Sequence, residues 1–189
     1  MQDFASFDWE EGTELDHVRM ARKGTSAEIR ALARVYDWGR HPVAVLGWVM
    51  AQKGIDLGTA LSVFQNASPL QYNYIGKRDV PAVHRGMCRL LDNICQRINC
   101  GFYLPERGSS IMREDKMHAW IKYQQDDDAE GRVGRWVLDE GIVDTAFKLS
   151  EPEPSADAFE QEVSGFDFIN ALVKPLLEPN FSKKFRLRA

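Results

Sequence analysis

The sequence predicts a mainly α-helical protein that folds as a compact antiparallel helical bundle. Several segments repeat apolar residues at three- and four-residue spacing, helix-capping residues precede them, and short connections separate them. The most apolar of these segments is 37–68, in which residues 43–50 include no charged side chain. A helix without a polar face must be covered on most sides. We therefore expect the remaining helices to pack around this segment.

Composition divides the chain into three parts. Residues 1–24 form an acidic N-terminal arm, since the first 16 residues have six acids and neither lysine nor arginine. Residues 25–150 are predicted to form the helical core domain, and residues 151–189 are predicted to form C-terminal helices that pack on the core and end in a basic tail. We expect the arm to pack on the body through its aromatic residues, and a mobile tail is the alternative.

Capping residues mark the first three helices of the core domain. Thr25 and Glu28 have the spacing of a capping box, in which two side chains satisfy the free amides of a helix start. The next helix begins at Pro42, where the missing N–H costs nothing, and is expected to end at Gly54 in a left-handed cap. Asp56 then caps a third helix. Because the connections are short, these helices are expected to be antiparallel neighbours.

The fourth helix has the clearest periodicity in the chain. It is predicted from about Asp79 to Asn99, and Gly101 is expected to end it. Asp92 and its polar neighbours are expected to face water. The inward stripe is predicted to consist of Met87, Cys88, Leu91, Ile94, Cys95 and Ile98.

Residues 113–147 have a weaker pattern. Both halves of this region, the second of them 133–147, are predicted to be helical, although the residues from Trp120 to Tyr123 also suit a strand. A small β-hairpin within residues 116–140, with its turn at the acids that follow Gln125, is the alternative.

The charge and the cysteine content limit the function classes. The formal net charge is -4 and the sequence pI is about 5.6, whereas sequence-independent nucleic-acid binding needs a basic surface. No apolar run approaches the ~20 residues of a membrane-spanning helix, and the N-terminus does not have the basic start of a secretory signal. The three cysteines, an odd number, suit a reducing compartment. We expect a cytoplasmic protein that binds neither nucleic acid nor membrane.

No pattern of reactive side chains predicts catalysis, a cofactor or a metal. His84 and Cys88 lie one helical turn apart and would share a face, but a structural metal site needs more ligands than these. No cysteine lies at a predicted helix N-terminus or beside a strong basic cluster, the settings that activate a thiol. Buried cysteines beside a histidine are the simpler interpretation, and we do not expect an enzyme.

Two acidic segments are candidates for binding a protein partner. Trp9 stands beside Glu10 and Glu11 in the polar arm, where an exposed aromatic residue next to acids suits an interface. For the second segment a solvated loop is the simpler interpretation. If the segment does have a function, binding a basic protein partner is the favoured one, because complementary charge speeds association and selects partners. This second segment consists of Asp126, Asp127, Asp128 and Glu130.

Residues 26–104 resemble a bacterial domain family of unknown function. Members of this family have an Ala/Leu-x-x-Tyr-Asn/Asp-Trp-Asp-x-Gly start, then a helix, then the stretch Cys-Asp-Leu-Gly-Thr-Ala-Leu-x-x-Phe. This chain departs from the pattern because Gly39 follows the tryptophan at once and because Ile55 replaces the usual cysteine or polar residue of the second stretch. The matching residues are Leu32, Ala33, Tyr36, Asp37, Trp38 and Gly39, then Asp56, Leu57, Gly58, Thr59, Ala60, Leu61 and Phe64.

The resemblance implies a function but supplies no catalytic residues. Small cytosolic proteins of this kind resemble immunity or accessory proteins of bacterial toxin and secretion loci. The predicted function is therefore a cytosolic immunity protein that neutralises a cognate toxin domain by occluding it with an acidic surface. Toxins that act on nucleic acids or nucleotides tend to be basic, so an acidic inhibitor is complementary. The alternative is an enzyme or a small-ligand-binding helical domain whose site is assembled from distant residues.

Overall fold

A computed structural model of the protein describes residues 3–150, and the prediction of a mainly α-helical bundle is confirmed for them. Among these residues the only β-type pairing is an isolated bridge between Asp56 and Leu104. The predicted C-terminal helices and basic tail, residues 151–189, lie outside the described residues. The α-helices are α1 Glu14–Ala21, α2 Ser26–Val35, α3 Pro42–Val49, α4 Leu57–Asn66, α5 Arg85–Asn99, α6 Glu114–Ala129 and α7 Glu140–Ser150, with 3₁₀ turns at Pro69–Tyr72 and Ala82–His84.

The centre of the bundle is α4, whose residues from Leu57 to Phe64 are all buried. It packs against α2, α5, α6 and α7, whereas α3 packs against α1, α2 and α5. The segment 37–68 is therefore the middle of the fold, as its apolar composition predicts. Coverage of α3 is incomplete, however, since Val43 is 50% exposed. No helix in the described part of the chain is long and apolar enough to cross a membrane.

The predicted caps at Thr25 and Asp56 are confirmed. Thr25 and Glu28 form a complete capping box at the start of α2, and an oxygen of Asp56 accepts the Thr59 amide at 2.8 Å at the start of α4. A second capping box, between Thr13 and Asp16, starts α1. The N-terminal arm therefore contains a helix that its acidic composition did not indicate.

Two helix ends differ from the predictions. The helix α3 ends at Val49 with a right-handed cap, and Gly54 does not adopt a left-handed conformation. The helix α5 begins at Arg85 rather than near Asp79. A turn that ends at Val80 and the 3₁₀ turn Ala82–His84 precede it. Gly101 does end α5, with a φ of 70°.

The end of α5 is a Schellman motif. The Phe102 amide donates to the Arg97 carbonyl and the Gly101 amide donates to the Ile98 carbonyl, each at 2.9 Å. This pair of bonds satisfies carbonyls that the helix leaves free, and it needs the left-handed glycine between them.

The β-hairpin alternative for residues 116–140 is wrong. The helix α6 continues through the acids to Ala129, and no strand forms in the described residues. The prediction of a helix over 133–147 is correct only in its second half, since α7 begins at Glu140. Residues 130–139, which we call the connecting segment, have no regular secondary structure.

The three thiols differ in accessibility, which gives a first prediction. Cys100 is exposed, whereas Cys88 and Cys95 are buried. Burial raises the pKa of the Cys88 thiol and raises the pKa of Cys95 to about 11. Because the thiolate is the reactive form, we expect brief iodoacetamide treatment of the native protein to modify Cys100 alone, as counted by mass spectrometry. Treatment in denaturant is expected to modify all three, and equal labelling of Cys88 in the native state would contradict this packing.

Candidate functional site

Exposed carboxylates cluster where α6 ends and α7 begins. The ion pairs in this cluster join Lys122 to Asp126 at 3.4 Å and Arg132 to Glu130 at 2.9 Å. The Gln125 side-chain amide donates to Glu140 at 2.9 Å and so connects the two helices. The cluster contains five exposed acids and only these two bases. We call the five acids the acidic surface; they are Asp126, Asp128, Glu130, Asp139 and Glu140.

A cavity of about 360 Å³ opens at the acidic surface. Two of the five acids, Asp128 and Glu140, line it, together with Arg132, polar side chains of α6 and apolar groups of the connecting segment. Two of these apolar side chains face solvent, since Val133 is 81% exposed and Val137 is 45% exposed. The surface therefore combines acids with an exposed apolar centre, which is the usual arrangement of a protein interface.

Side-chain amides make hydrogen bonds to the backbone of the connecting segment, as a neighbouring strand would do in a sheet. The Trp136 amide donates to the Asn73 side-chain oxygen at 3.0 Å. Gln124 bonds both backbone groups of Leu138, accepting from its N–H at 2.8 Å and donating to its carbonyl at 3.1 Å. Buried backbone groups must find partners, and here distant polar side chains supply them. Gly134 permits this approach, because a Cβ there would overlap the Asn73 amide.

Asn99 at the end of α5 completes this set of bonds. Its amide donates to the Val137 carbonyl at 2.7 Å, and its oxygen accepts the Asp139 amide at 2.9 Å. Asp139 in turn accepts the Ile142 amide at 3.0 Å and so caps α7. The connecting segment and the start of α7 are thus fixed to α5 and α6.

Trp136 anchors the connecting segment in the core. It is 1% exposed, and its indole N–H donates to Asp92 at 2.9 Å. Arg135 donates to the same carboxylate from Nε and Nη2, both at 2.9 Å. Burial alone would raise the pKa of Asp92, but these hydrogen bonds from Arg135 and Trp136 outweigh it and lower the pKa. The prediction that Asp92 faces water is wrong, because it is half-buried against partners more than 40 residues away.

The four predicted acids of the second segment do not all lie on the surface. Asp126, Asp128 and Glu130 are exposed, but Asp127 is only 4% exposed. The Tyr74 hydroxyl donates to one oxygen of Asp127, and Arg132 pairs with the other at 3.0 Å. Asp127 therefore stabilises the end of α6 from beneath the acidic surface.

Trp9, Glu10 and Glu11 lie in a different environment. Trp9 is half-buried rather than exposed, and its ring packs against Phe4, Phe7, His17 and Tyr36. Glu10 and Glu11 are exposed, and Glu10 lies 3.7 Å from Arg40. Within residues 3–150, no hydrogen bond, ion pair or ring contact joins this group to the acidic surface. The two predicted segments therefore make no direct contact with each other in the described part of the chain.

Sequence reasoning missed the two exposed valines and the acids at the start of α7. The stretch from Val133 to Leu138 did not indicate them, because its last three residues are all apolar and show no alternation. In the structure Trp136 and Leu138 are buried, whereas Val133 and Val137 are exposed. The sequence therefore did not indicate which of these apolar side chains lie at the surface.

The described residues contain no group of three or more histidines, cysteines or acids that could hold a metal ion. Comparisons with family models, curated proteins and solved structures gave no match to the chain. The resemblance of residues 26–104 to a bacterial domain family therefore stays a prediction.

Proposed function

We propose that the protein is a cytosolic immunity protein, which binds a bacterial toxin domain through the acidic surface and occludes it. The observation that carries the proposal is the group of five exposed acids, two of which line a cavity together with two exposed valines. A binding protein of this kind needs a rigid, charged face and no catalytic group.

The charges of the acidic surface favour a basic partner. Three more acids than bases face solvent there, since five acids stand against Lys122 and Arg132. Complementary charge raises the association rate and rejects partners of the same sign. A toxin domain that binds nucleic acid or nucleotides has the basic surface that fits this face.

The two exposed valines supply apolar surface for a partner to bury, which adds binding free energy beyond the attraction between charges. Val133 and Val137 flank the cavity, so a partner side chain that enters it would lose its water and contact both. Such central, desolvated contacts contribute most of the binding free energy in protein interfaces. The hydrogen bonds from Asn73, Gln124 and Asn99 keep the segment in its binding conformation, which reduces the entropy lost on association.

Charge reversal tests this proposal. We expect the triple variant Asp126→Lys, Asp128→Lys and Glu130→Lys to lose affinity for the toxin domain by at least about 100-fold, because like charges would then face each other. The partner to be used is the product of the gene beside this one, where that gene encodes a protein with a toxic C-terminal domain. The measurements are isothermal titration calorimetry and rescue of host growth on co-expression.

The matched control reverses the other acidic segment. The variant Glu10→Lys and Glu11→Lys also changes exposed acids, and we expect it to bind within about twofold of the original protein because those acids do not line the cavity and exposed charges outside a contact are screened. Loss of binding in this control with none in the triple variant would overturn the assignment of the surface. A neighbouring gene set of metabolic enzymes, with no toxin domain to bind, would contradict the function itself.

A further inference from the structure

A second, smaller pocket of about 230 Å³ lies beside the first two turns of α5. Four of its seven lining residues are basic, and Val80 and the buried Cys88 are its uncharged members. The four basic residues that line this cationic pocket are Lys77, Arg85, Arg89 and Arg135.

The only acid among the lining residues is Asp92. Four bases and one acid give the pocket a formal charge of +3, since 4 − 1 = 3, in a chain whose net charge is -4. Like charges in a concave site repel one another, and a bound anion relieves that repulsion. The pocket therefore has the electrostatic character of an anion site in an otherwise acidic protein.

Arg135 is held in the pocket wall by contacts that leave it donor capacity. Two of its nitrogens bond Asp92, and the guanidinium carbon lies 5.0 Å above the Trp136 ring. Its third nitrogen, Nη1, is buried and bonds no group of the described residues. Its side chain is 9% exposed, so its conformation is fixed before any ligand arrives.

The start of α5 adds to the positive potential. The N-terminus of a helix favours anions, yet α5 has no acid in its first turn and His84 makes no side-chain cap bond. Arg85 and Arg89 occupy its first two turns instead, both exposed. Bases at this end of a helix are unfavourable unless something negative compensates for them. The lining residues come from α5, the preceding loop and the connecting segment, which is why the sequence showed no basic cluster beside Cys88.

We propose that the cationic pocket binds the phosphoryl group of a small molecule, either inorganic phosphate or a phosphate monoester. Several converging bases suit an anion with about two negative charges and three or more acceptor oxygens better than a carboxylate. Arginine also matches the geometry of phosphate oxygens with paired N–H groups. The volume is below the roughly 300 Å³ of pockets that enclose a larger ligand, so the phosphoryl group enters and the rest of an ester stays outside. This small-ligand site is separate from the protein-binding function proposed above.

Inorganic phosphate is the first probe, titrated into the whole protein at constant ionic strength and followed by calorimetry and by amide chemical shifts. We expect saturable binding with shifts confined to the first turns of α5 and the connecting segment. Arg89→Gln is expected to weaken binding at least about tenfold, because it removes a charge-assisted contact. Glycerol phosphate forms the second arm. Tighter binding of this ester identifies phosphorylated metabolites as the source, whereas equal or weaker binding identifies free phosphate.

Arg78→Gln is the matched control. Arg78 is exposed and lies next to Lys77, but it does not line the pocket. Its replacement by glutamine removes the same charge as Arg89→Gln. We expect it to change phosphate affinity less than about twofold, since exposed charges outside a site are screened. Thermal melts of both variants show that each remains folded. Absence of saturable binding by either probe, or equal loss in Arg78→Gln and Arg89→Gln, would overturn the proposal.

Discussion

Replacing Trp136 by alanine is expected to destabilise the protein by about 3–5 kcal/mol, the usual cost of removing a large buried aromatic residue. Trp136 is 1% exposed, and its indole N–H bonds Asp92. The substitution would leave a cavity beneath the connecting segment and would remove one hydrogen bond from Asp92, which keeps its bonds to Arg135 and its 3.7 Å ion pair with Lys77. A loss of this size is comparable to the whole stability of many domains. The measurement is the free energy of unfolding from urea denaturation.

Val133→Ala is the matched control for this prediction. Val133 lies in the same segment but is 81% exposed, so we expect its replacement to change stability by less than about 0.5 kcal/mol. A result in which both variants unfold at the same urea concentration as the original protein would show that Trp136 does not anchor the segment. Partial unfolding confined to residues 130–139, seen as faster amide exchange there, fits the prediction.

The helices were predictable because their signals are local. A capping box, a proline at a first turn and apolar residues at helical spacing all lie within one helix length of one another. Thr25, Pro42 and Asp56 start helices where predicted. The helix α1 was missed because it is short, half of its eight residues are charged or polar, and its capping box uses Asp16 in place of the usual glutamate.

The connecting segment was not predictable because its partners lie far away in the chain. Asn73, Asp92, Asn99 and Gln124 hold it from four other places, up to 63 residues distant. Each is a polar residue that, taken alone, suits a solvent-exposed position. Only the structure shows that these side chains make the backbone hydrogen bonds that a neighbouring strand would make in a sheet.

The candidate sites also depend on contacts between residues that are distant in the sequence. The exposed acids of α6 were visible as a run, but the burial of Asp127 depends on Tyr74, which lies 53 residues earlier. The cationic pocket needs Arg135 beside Arg85 and Arg89, which only the turn of the connecting segment brings about. Neighbouring residues of that segment therefore line both sites, with Arg135 in the cationic pocket and Trp136 and Val137 at the acidic surface.

Asp56 connects the start of α4 to two other parts of the bundle. It is 4% exposed and accepts from the Thr59 amide and hydroxyl at 2.8 and 2.7 Å. The Ser109 hydroxyl also donates to it, and Arg30 and Arg34 each approach it to 3.7 Å. The Asp-Leu-Gly-Thr pattern of the family resemblance is thus accounted for by folding, since a Cβ at the glycine would overlap the backbone at Ser109.

Replacing Asp56 by alanine is expected to cost about 2–4 kcal/mol. The change removes a helix cap worth about 1 kcal/mol and leaves the hydroxyls of Thr59 and Ser109 without their acceptor. Asp56→Asn keeps the cap and loses the charge, so we expect about half that cost. Asp126→Asn is the matched control, because Asp126 is an exposed acid in a surface ion pair with Lys122, and its expected effect is below about 0.5 kcal/mol. Equal costs for Asp56→Asn and Asp126→Asn would contradict the assigned role.

The pH dependence of stability distinguishes the contribution of the Asp56 charge from the contribution of its helix cap. Burial alone would raise the pKa of Asp56, but the hydrogen bonds from Ser109 and Thr59 and the charge of Arg34 outweigh burial and lower the pKa. A carboxyl whose pKa is lower in the folded state stabilises the protein above its unfolded pKa of about 3.9, and that contribution is lost as the pH falls through the folded value. The stability difference between the original protein and Asp56→Asn should therefore be constant from about pH 5 to 7 and shrink below about pH 4. Urea denaturation at each pH measures it, and a difference that grows with acid would show that the carboxylate is not the stabilising form.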